Sequence, residues 1–147
     1  VQLFTNQLPY CLLMSKVLWE KVGGYDEDMK LGFEDWEFNI RLGKHGYKAI
    51  GLDEPLFNYF FSSTGMMKST SDKNYIGILR YIRKKHEDIY CISGLYAVWK
   101  KWNNQYMPYP SGMYIAMYII TEILPGNTYN LIYKSLSFIK QSERYSK

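Results

Sequence analysis

The chain has 147 residues, about the length of one domain and enough to bury one core. A hydrophobic share of 47% excludes wholesale disorder, and a net charge of +4 is too small by itself to mark a nucleic-acid binder. Aromatic residues make up 18%, which suits a stacking surface for sugars or bases and a Tyr-rich core equally well.

No basic-then-apolar secretory signal opens the chain, which starts at Val1 without a methionine and reads as a piece cut from a longer protein. Residues 1–14 carry two apolar patches around Leu8-Pro9-Tyr10. The second, Cys11-Leu12-Leu13-Met14, is short and continuous, as a buried strand is. Ser15 caps a helix over residues 16–22, with Val17, Leu18 and Trp19 facing inward and Gly23 as the left-handed stop. Residues 25–32 sustain no period and read as a loop. A second helix covers residues 33–43, where Phe33, Trp36 and Ile40 recur at helical spacing and Phe38 and Leu42 widen the apolar face. Lys44-His45-Gly46 ends it, with cations at the negative pole and glycine as the stop.

Residues 47–52 and 56–61 read as strands, separated by Asp53-Glu54-Pro55. Residues 62–71 are small and polar, with Gly65, Met66, Met67 and Lys68, and read as a mobile loop. From Asp72 the chain turns helical, with Tyr75, Ile78, Leu79, Ile82 and His86 as a stripe and Arg80, Arg83 and Lys84 opposite. That basic face is either a solvated helix face or a contact for phosphates or an anionic membrane. A helix over residues 93–102 buries Leu95, Trp99 and Trp102. A Pro-containing linker then leads to an apolar helix over 113–124, too short to span a bilayer and interrupted by Glu122, and to an amphipathic helix over 128–141. The composition shift near residue 70 divides a mixed α/β part, residues 1–70, from a helical extension, residues 71–147. Cys11 and Cys91 lie far apart in apolar stretches, and reduced packing thiols are preferred over a disulfide. No zinc spacing exists, and His45 and His86 read as surface or helix-end residues.

Glu34, Asp35 and Glu37 open the second helix. Carboxylates there are held ionised by the positive end of the macrodipole. Beside aromatic rings and a loop they have the makings of a general-base site, although good first-turn residues look the same. Glu37 and Arg41 lie four apart in the favourable order and pair on the helix surface. Glu34 and Asp35 are left without a local partner.

The order Val22-Gly23-Gly24-Tyr25-Asp26-Glu27, then Gly32-Phe33-Glu34-Asp35-Trp36-Glu37-Phe38, then Arg41-Leu42 and Gly46, resembles family 2 glycosyltransferases of the GT-A fold. Glu54-Pro55-Leu56-Phe57-Asn58-Tyr59 resembles the strand that follows in that family. The resemblance covers roughly residues 8–70. It implies an α/β fold: the acceptor-side, C-terminal part of a Rossmann-like domain, with a few strands and several helices ahead of a mainly helical tail. It implies an inverting transfer from a nucleotide-sugar donor to a saccharide or lipid-linked acceptor, in surface polysaccharide synthesis. Asp35 is then the catalytic base and Glu34 orients the acceptor. Trp36, Gly24, Tyr25 and Lys68 become substrate-binding positions, with Lys68 toward the diphosphate. Phe33 is better read as core, whereas Trp36 is open between core and sugar platform.

The resemblance further implies a divalent metal, Mg or Mn, with ligands upstream of Val1. Asp26-Glu27-Asp28 follows a helix stop rather than a continuous apolar strand and is read as loop. No histidine stands in residues 60–68, where several relatives place a basic or histidine residue near the diphosphate. A cytoplasmic location, peripheral at the inner face of the membrane, is expected, with self-association covering an exposed edge and no transferase activity from these residues alone. Two other readings remain at this point: an aromatic-rich glycan-binding module without chemistry, and a helical membrane-surface module using residues 75–124.

Overall fold

The computed structural model describes residues 2–4, 6, 8, 11–52, 54–58, 60, 72–102, 112, 115, 116, 118 and 119. Its elements are α1 (Lys16–Val22), α2 (Glu34–Lys44), α3 (Asp72–Lys85) and α4 (Ile92–Trp102). The chain divides into two compact units, residues 1–82 and 83–147, with the division inside α3.

Local chemistry sets both ends of α1. Ser15 Oγ accepts the Leu18 N–H at 3.2 Å, so one orphan donor of the first turn is satisfied. At the other end Gly23 sits at φ 88° and sends its N–H to the Glu20 and Trp19 carbonyls. Gly24 follows at φ 64°, and a Cβ there would lie 3.1 Å from the Trp19 indole. The dihedral strains any side chain placed here, and the ring would have to give way by a few tenths of an ångström. Leu18, Trp19 and Val22 turn inward, whereas Val17, expected inside, is exposed.

In α2, residues 36–40 are buried in succession. At about 100° per residue, five consecutive positions go round the whole helix, so its middle turn is enclosed on every side. Trp36, Phe38 and Ile40 are the apolar part of this stretch. Asn39 is buried as well, its carboxamide without a partner among the described residues. Glu37 has no exposed surface, and Arg41 Nε donates to both its oxygens at 2.8 and 2.9 Å. The pair expected on the helix surface is therefore buried. Arg41 Nη1 also donates to the Val22 carbonyl at 2.6 Å, and Nη2 donates to the Gly24 carbonyl. One guanidinium thus ties the end of α1 to the flank of α2. Its plane also covers the Phe38 ring at 5.4 Å.

The α/β expectation is overturned, because the described residues contain four helices and no strand. The segments at 11–14, 47–52 and 56–61 that were expected as strands run without ladder pairing wherever they are described. Their side chains Leu13, Ile50, Leu52, Leu56, Phe57 and Phe60 are exposed rather than buried in a sheet. A short apolar run becomes a strand only when a neighbour takes its N–H and C=O groups, and no described segment does so. The expectations for residues 61–71 and 103–111, and those for 120–147, lie outside the described residues.

In the second unit Cys91 immediately precedes α4, and its sulfur accepts the Gly94 N–H at 3.3 Å and lies 3.2 Å from Ser93 Oγ. The Ser93 contact and the Gly94 N–H favour the thiolate and pull this thiol below its ordinary value. Gly94 is required by packing, since a Cβ would run into the Asp88 carbonyl and come within 2.7 Å of Ile89 Cα. Cys11 and Cys91 are both free and exposed, not packed inside as expected. His86 is buried just past the end of α3, its carbonyl accepting from Ile89 and Tyr90. Arg83, expected on a basic outer face, is buried with its guanidinium 5.6 Å from the Tyr90 ring and 5.7 Å from that of Tyr118. In α4 Leu95 is buried and Trp99 is half-buried, while the expected burial of Trp102 lies outside what is described. No helix among the described residues is long and apolar enough to cross a membrane.

Removing Arg41 strands an enclosed carboxylate and two helix-end carbonyls. Arg41→Ala is expected to cost about 3–5 kcal/mol in urea unfolding followed by circular dichroism.

Candidate active site

The two carboxylates that the sequence leaves unpaired are delivered by an unusual turn. Gly32 at φ 99° and Phe33 at φ 64° place two left-handed residues in a row immediately before α2. For a phenylalanine this conformation costs on the order of 1 kcal/mol, and packing holds it. The Phe33 ring meets Trp36 at 5.8 Å and Tyr75 at 5.6 Å, and Tyr75 stacks on Trp36 at 6.0 Å. The chain turns sharply there, and Glu34 and Asp35 become the first two residues of the helix, both half-buried.

Asp35 is held at both oxygens. Its Oδ1 accepts the Trp36 N–H at 2.8 Å, and its Oδ2 accepts from Asn6 Nδ2 at 3.0 Å. Neither Glu34 nor Asp35 is ion-paired with a lysine or arginine among the described residues. Tyr25 belongs to the same electrostatic neighbourhood. Burial raises its phenol above the ordinary value first, and the charges of Asp35, Glu34 and Cys11 push the same way. The ring is 37% exposed and stands edge-on to Trp19 at 4.7 Å and to Phe38 at 5.3 Å. Gly24 lies one residue before it, with its carbonyl held by Arg41. Glu34, Asp35, Tyr25 and Gly24 are thus assembled on the one framework of α1 and α2.

Trp36 plays a different part from the sugar platform that its neighbours suggest. It has no exposed surface, and its Nε1 donates to the Gln2 carbonyl at 2.6 Å. In this arrangement it is a buried post against which the N-terminal segment is fastened. Lys68 lies outside the described residues. Asn6 and Gln2 had no signal in the sequence, because their partners are 29 and 34 positions away and no spacing rule connects them.

The described residues do not suit a divalent metal. Among them, no group of three or more His, Cys, Asp or Glu side chains is placed to share an ion. Asp26 is occupied by the loop itself: Oδ1 accepts the Asp28 N–H at 3.0 Å and Oδ2 accepts the Tyr81 hydroxyl at 2.9 Å. That last bond raises the Tyr81 phenol above its ordinary value.

Comparison of the chain with protein-family models, with curated proteins and with solved structures finds no match in any of the three.

The Tyr25 phenol reports on the carboxylates. Neutralising them by Glu34→Gln with Asp35→Asn removes two of the fields that resist phenolate, so the Tyr25 midpoint is expected to fall while staying above 10.0, because burial remains. The Tyr25 ¹³Cζ resonance followed by NMR against pH checks this. In the unchanged chain, the raised value means that the Tyr25 contribution to stability is complete below pH 10.0 and is lost as pH rises through the higher native value.

Proposed function

We propose that this chain carries the acceptor side of a glycosyltransferase that transfers a sugar, with inversion, from a nucleotide-sugar donor to a saccharide or lipid-linked acceptor. The observation that carries the reading is the Asp35 carboxylate. It is half-buried at the N-terminus of α2, oriented through both oxygens, and without an ion-pair partner among the described residues. The ordered Gly-Gly-Tyr-Asp and Gly-Phe-Glu-Asp-Trp-Glu-Phe segments add the resemblance to family 2 glycosyltransferases.

A sugar hydroxyl is a poor nucleophile at neutral pH, so its proton must be removed as it attacks. The hydroxyl oxygen forms a bond to the anomeric carbon of the donor. The bond from that carbon to the diphosphate oxygen breaks, and its electron pair leaves with the nucleoside diphosphate. The proton passes to the Asp35 carboxylate. Glu34 accepts hydrogen bonds from neighbouring acceptor hydroxyls and fixes which of them faces the base. The exposed Tyr25 ring offers an apolar face and a donor hydroxyl at the rim. The free thiols Cys11 and Cys91 fit a reducing compartment, so we place the reaction on the cytoplasmic side, at the inner face of a membrane when the acceptor is lipid-linked.

Asp35→Asn in the full-length protein is expected to lower kcat/KM by about two to four orders of magnitude, read as nucleoside diphosphate release, with the unfolding midpoint unchanged. Turnover within a factor of two of wild type would remove the base assignment. Saccharide binding that survives the substitution, with no turnover in either protein, would favour a binding module.

A further inference from the structure

The carboxylate at the centre of the proposed site is not positioned by α2 alone. Asn6 Nδ2 donates to Asp35 Oδ2 at 3.0 Å, across 29 positions of sequence, and Gln2 Nε2 donates to Asn6 Oδ1 at 3.3 Å. The second bond fixes which end of the Asn6 carboxamide faces Asp35: its oxygen is engaged by Gln2, so its NH2 must point to the carboxylate. The segment carrying both residues is itself fastened to α2, since Trp36 Nε1 donates to the Gln2 carbonyl at 2.6 Å. Tyr75, stacked on the Trp36 ring, reaches the neighbouring Phe4 carbonyl at 3.5 Å. Adjacent residues of one helix turn, Asp35 and Trp36, therefore grip the same N-terminal segment, one by side chain to side chain and the other by side chain to backbone.

We infer that Asn6 is a positioning residue for Asp35, held in register by Gln2, and that it sets the plane of the carboxylate that takes the acceptor's proton. The inference rests on the reading of Asp35 as the base. A carboxylate offers about four lone-pair positions, and the Trp36 N–H and Asn6 each use one on a different oxygen. With both oxygens held, rotation about the side-chain torsion is blocked and the remaining lone pairs keep one direction. The donor is neutral, and that matters. A lysine or arginine in the same place would also orient the group, but an adjacent cation favours the charged form strongly and makes the carboxylate a poorer proton acceptor. An amide orients Asp35 without making it an ion pair. The expected consequence is on the chemical step: a base free to rotate spends less time in line with the hydroxyl, while substrate contacts made elsewhere are untouched.

The test is a double-mutant cycle in the full-length protein, assayed as nucleoside diphosphate release with UDP-glucose, UDP-galactose, UDP-N-acetylglucosamine and GDP-mannose as probe donors. Asn6→Ala is expected to lower kcat by roughly ten- to a hundredfold, the scale of one hydrogen bond to a charged group, with KM within a factor of two. Asn6→Ser, which keeps a donor, should recover part of the loss, and Asn6→Asp, which sets a second negative charge against Asp35, should exceed it. In an Asp35→Asn background the Asn6→Ala change should add nothing. An equal loss in both backgrounds, or a rise in KM with unchanged kcat, would overturn the inference. Wild-type turnover by Asp35→Asn alone would instead overturn the base reading.

A second measurement needs no substrate. The Asn6 carboxamide protons should resonate downfield and exchange slowly in the wild-type chain, and Asp35→Ala should return them to the position of a solvated amide. Asn6 resonances indifferent to Asp35→Ala would overturn the inference whatever the activity.

Discussion

The first unit depends on one buried ion pair. Glu37 is enclosed by the packing around the middle of α2, and a carboxylate without water must have charge and hydrogen bonds brought to it. Arg41 brings both from the next turn of the same helix. Its remaining donors are then aimed outward in a fixed fork, and they find the Val22 and Gly24 carbonyls. Those carbonyls belong to the end of α1, where the chain has run out of helical donors and the backbone is negative. The interaction therefore answers two needs at once, the desolvated carboxylate and the open helix end. A buried pair of this kind adds little net stability over an apolar replacement, and its value lies in the single arrangement it allows.

Placement of the candidate site follows from that arrangement. Gly23 and Gly24 take left-handed conformations that bring the backbone close to Trp19, and the Gly24 carbonyl is then within reach of Arg41. Tyr25, the next residue, emerges against the Trp19 and Phe38 rings, facing the acidic start of α2. At that start the left-handed Phe33 is wedged by aromatic rings, so Glu34 and Asp35 enter the helix in one orientation. Six aromatic residues, Trp19, Tyr25, Phe33, Trp36, Phe38 and Tyr75, are spent on this positioning. Trp36 in particular exchanges any open face for a hydrogen bond to the N-terminal segment and a stack with Tyr75.

Much of the helical part was legible residue by residue. Ser15 and Gly23 mark both ends of α1 because capping and left-handed stops are local effects, decided within about four residues. The period of Trp36 and Ile40 and the acidic first turn locate α2, and the i,i+4 order of Glu37 and Arg41 identifies the pair. What the local rules missed is depth. Spacing says that two side chains can meet, not whether water reaches them, so a surface pair became the buried centre of the unit. Arg83 and His86 went the same way for the same reason. The strands failed differently. The runs at 11–14 and 47–52 have the right residues, but a sheet is a contract between segments, and the described chain holds no second party.

By itself the sequence determined the four helices, the left-handed Gly23 that ends α1, and the isolation of Glu34 and Asp35 as carboxylates with no neighbour in the helix to answer them. These are properties of residues a few positions apart, fixed by backbone geometry and helix periodicity. Only the tertiary structure decided that Glu37 is sealed from water, that Arg41 reaches across to α1, that Trp36 is a post rather than a platform, and that Asn6 meets Asp35. Each of these joins residues some twenty to thirty-odd positions apart or depends on exclusion of solvent, and both are set by how whole segments pack rather than by any pattern along the chain.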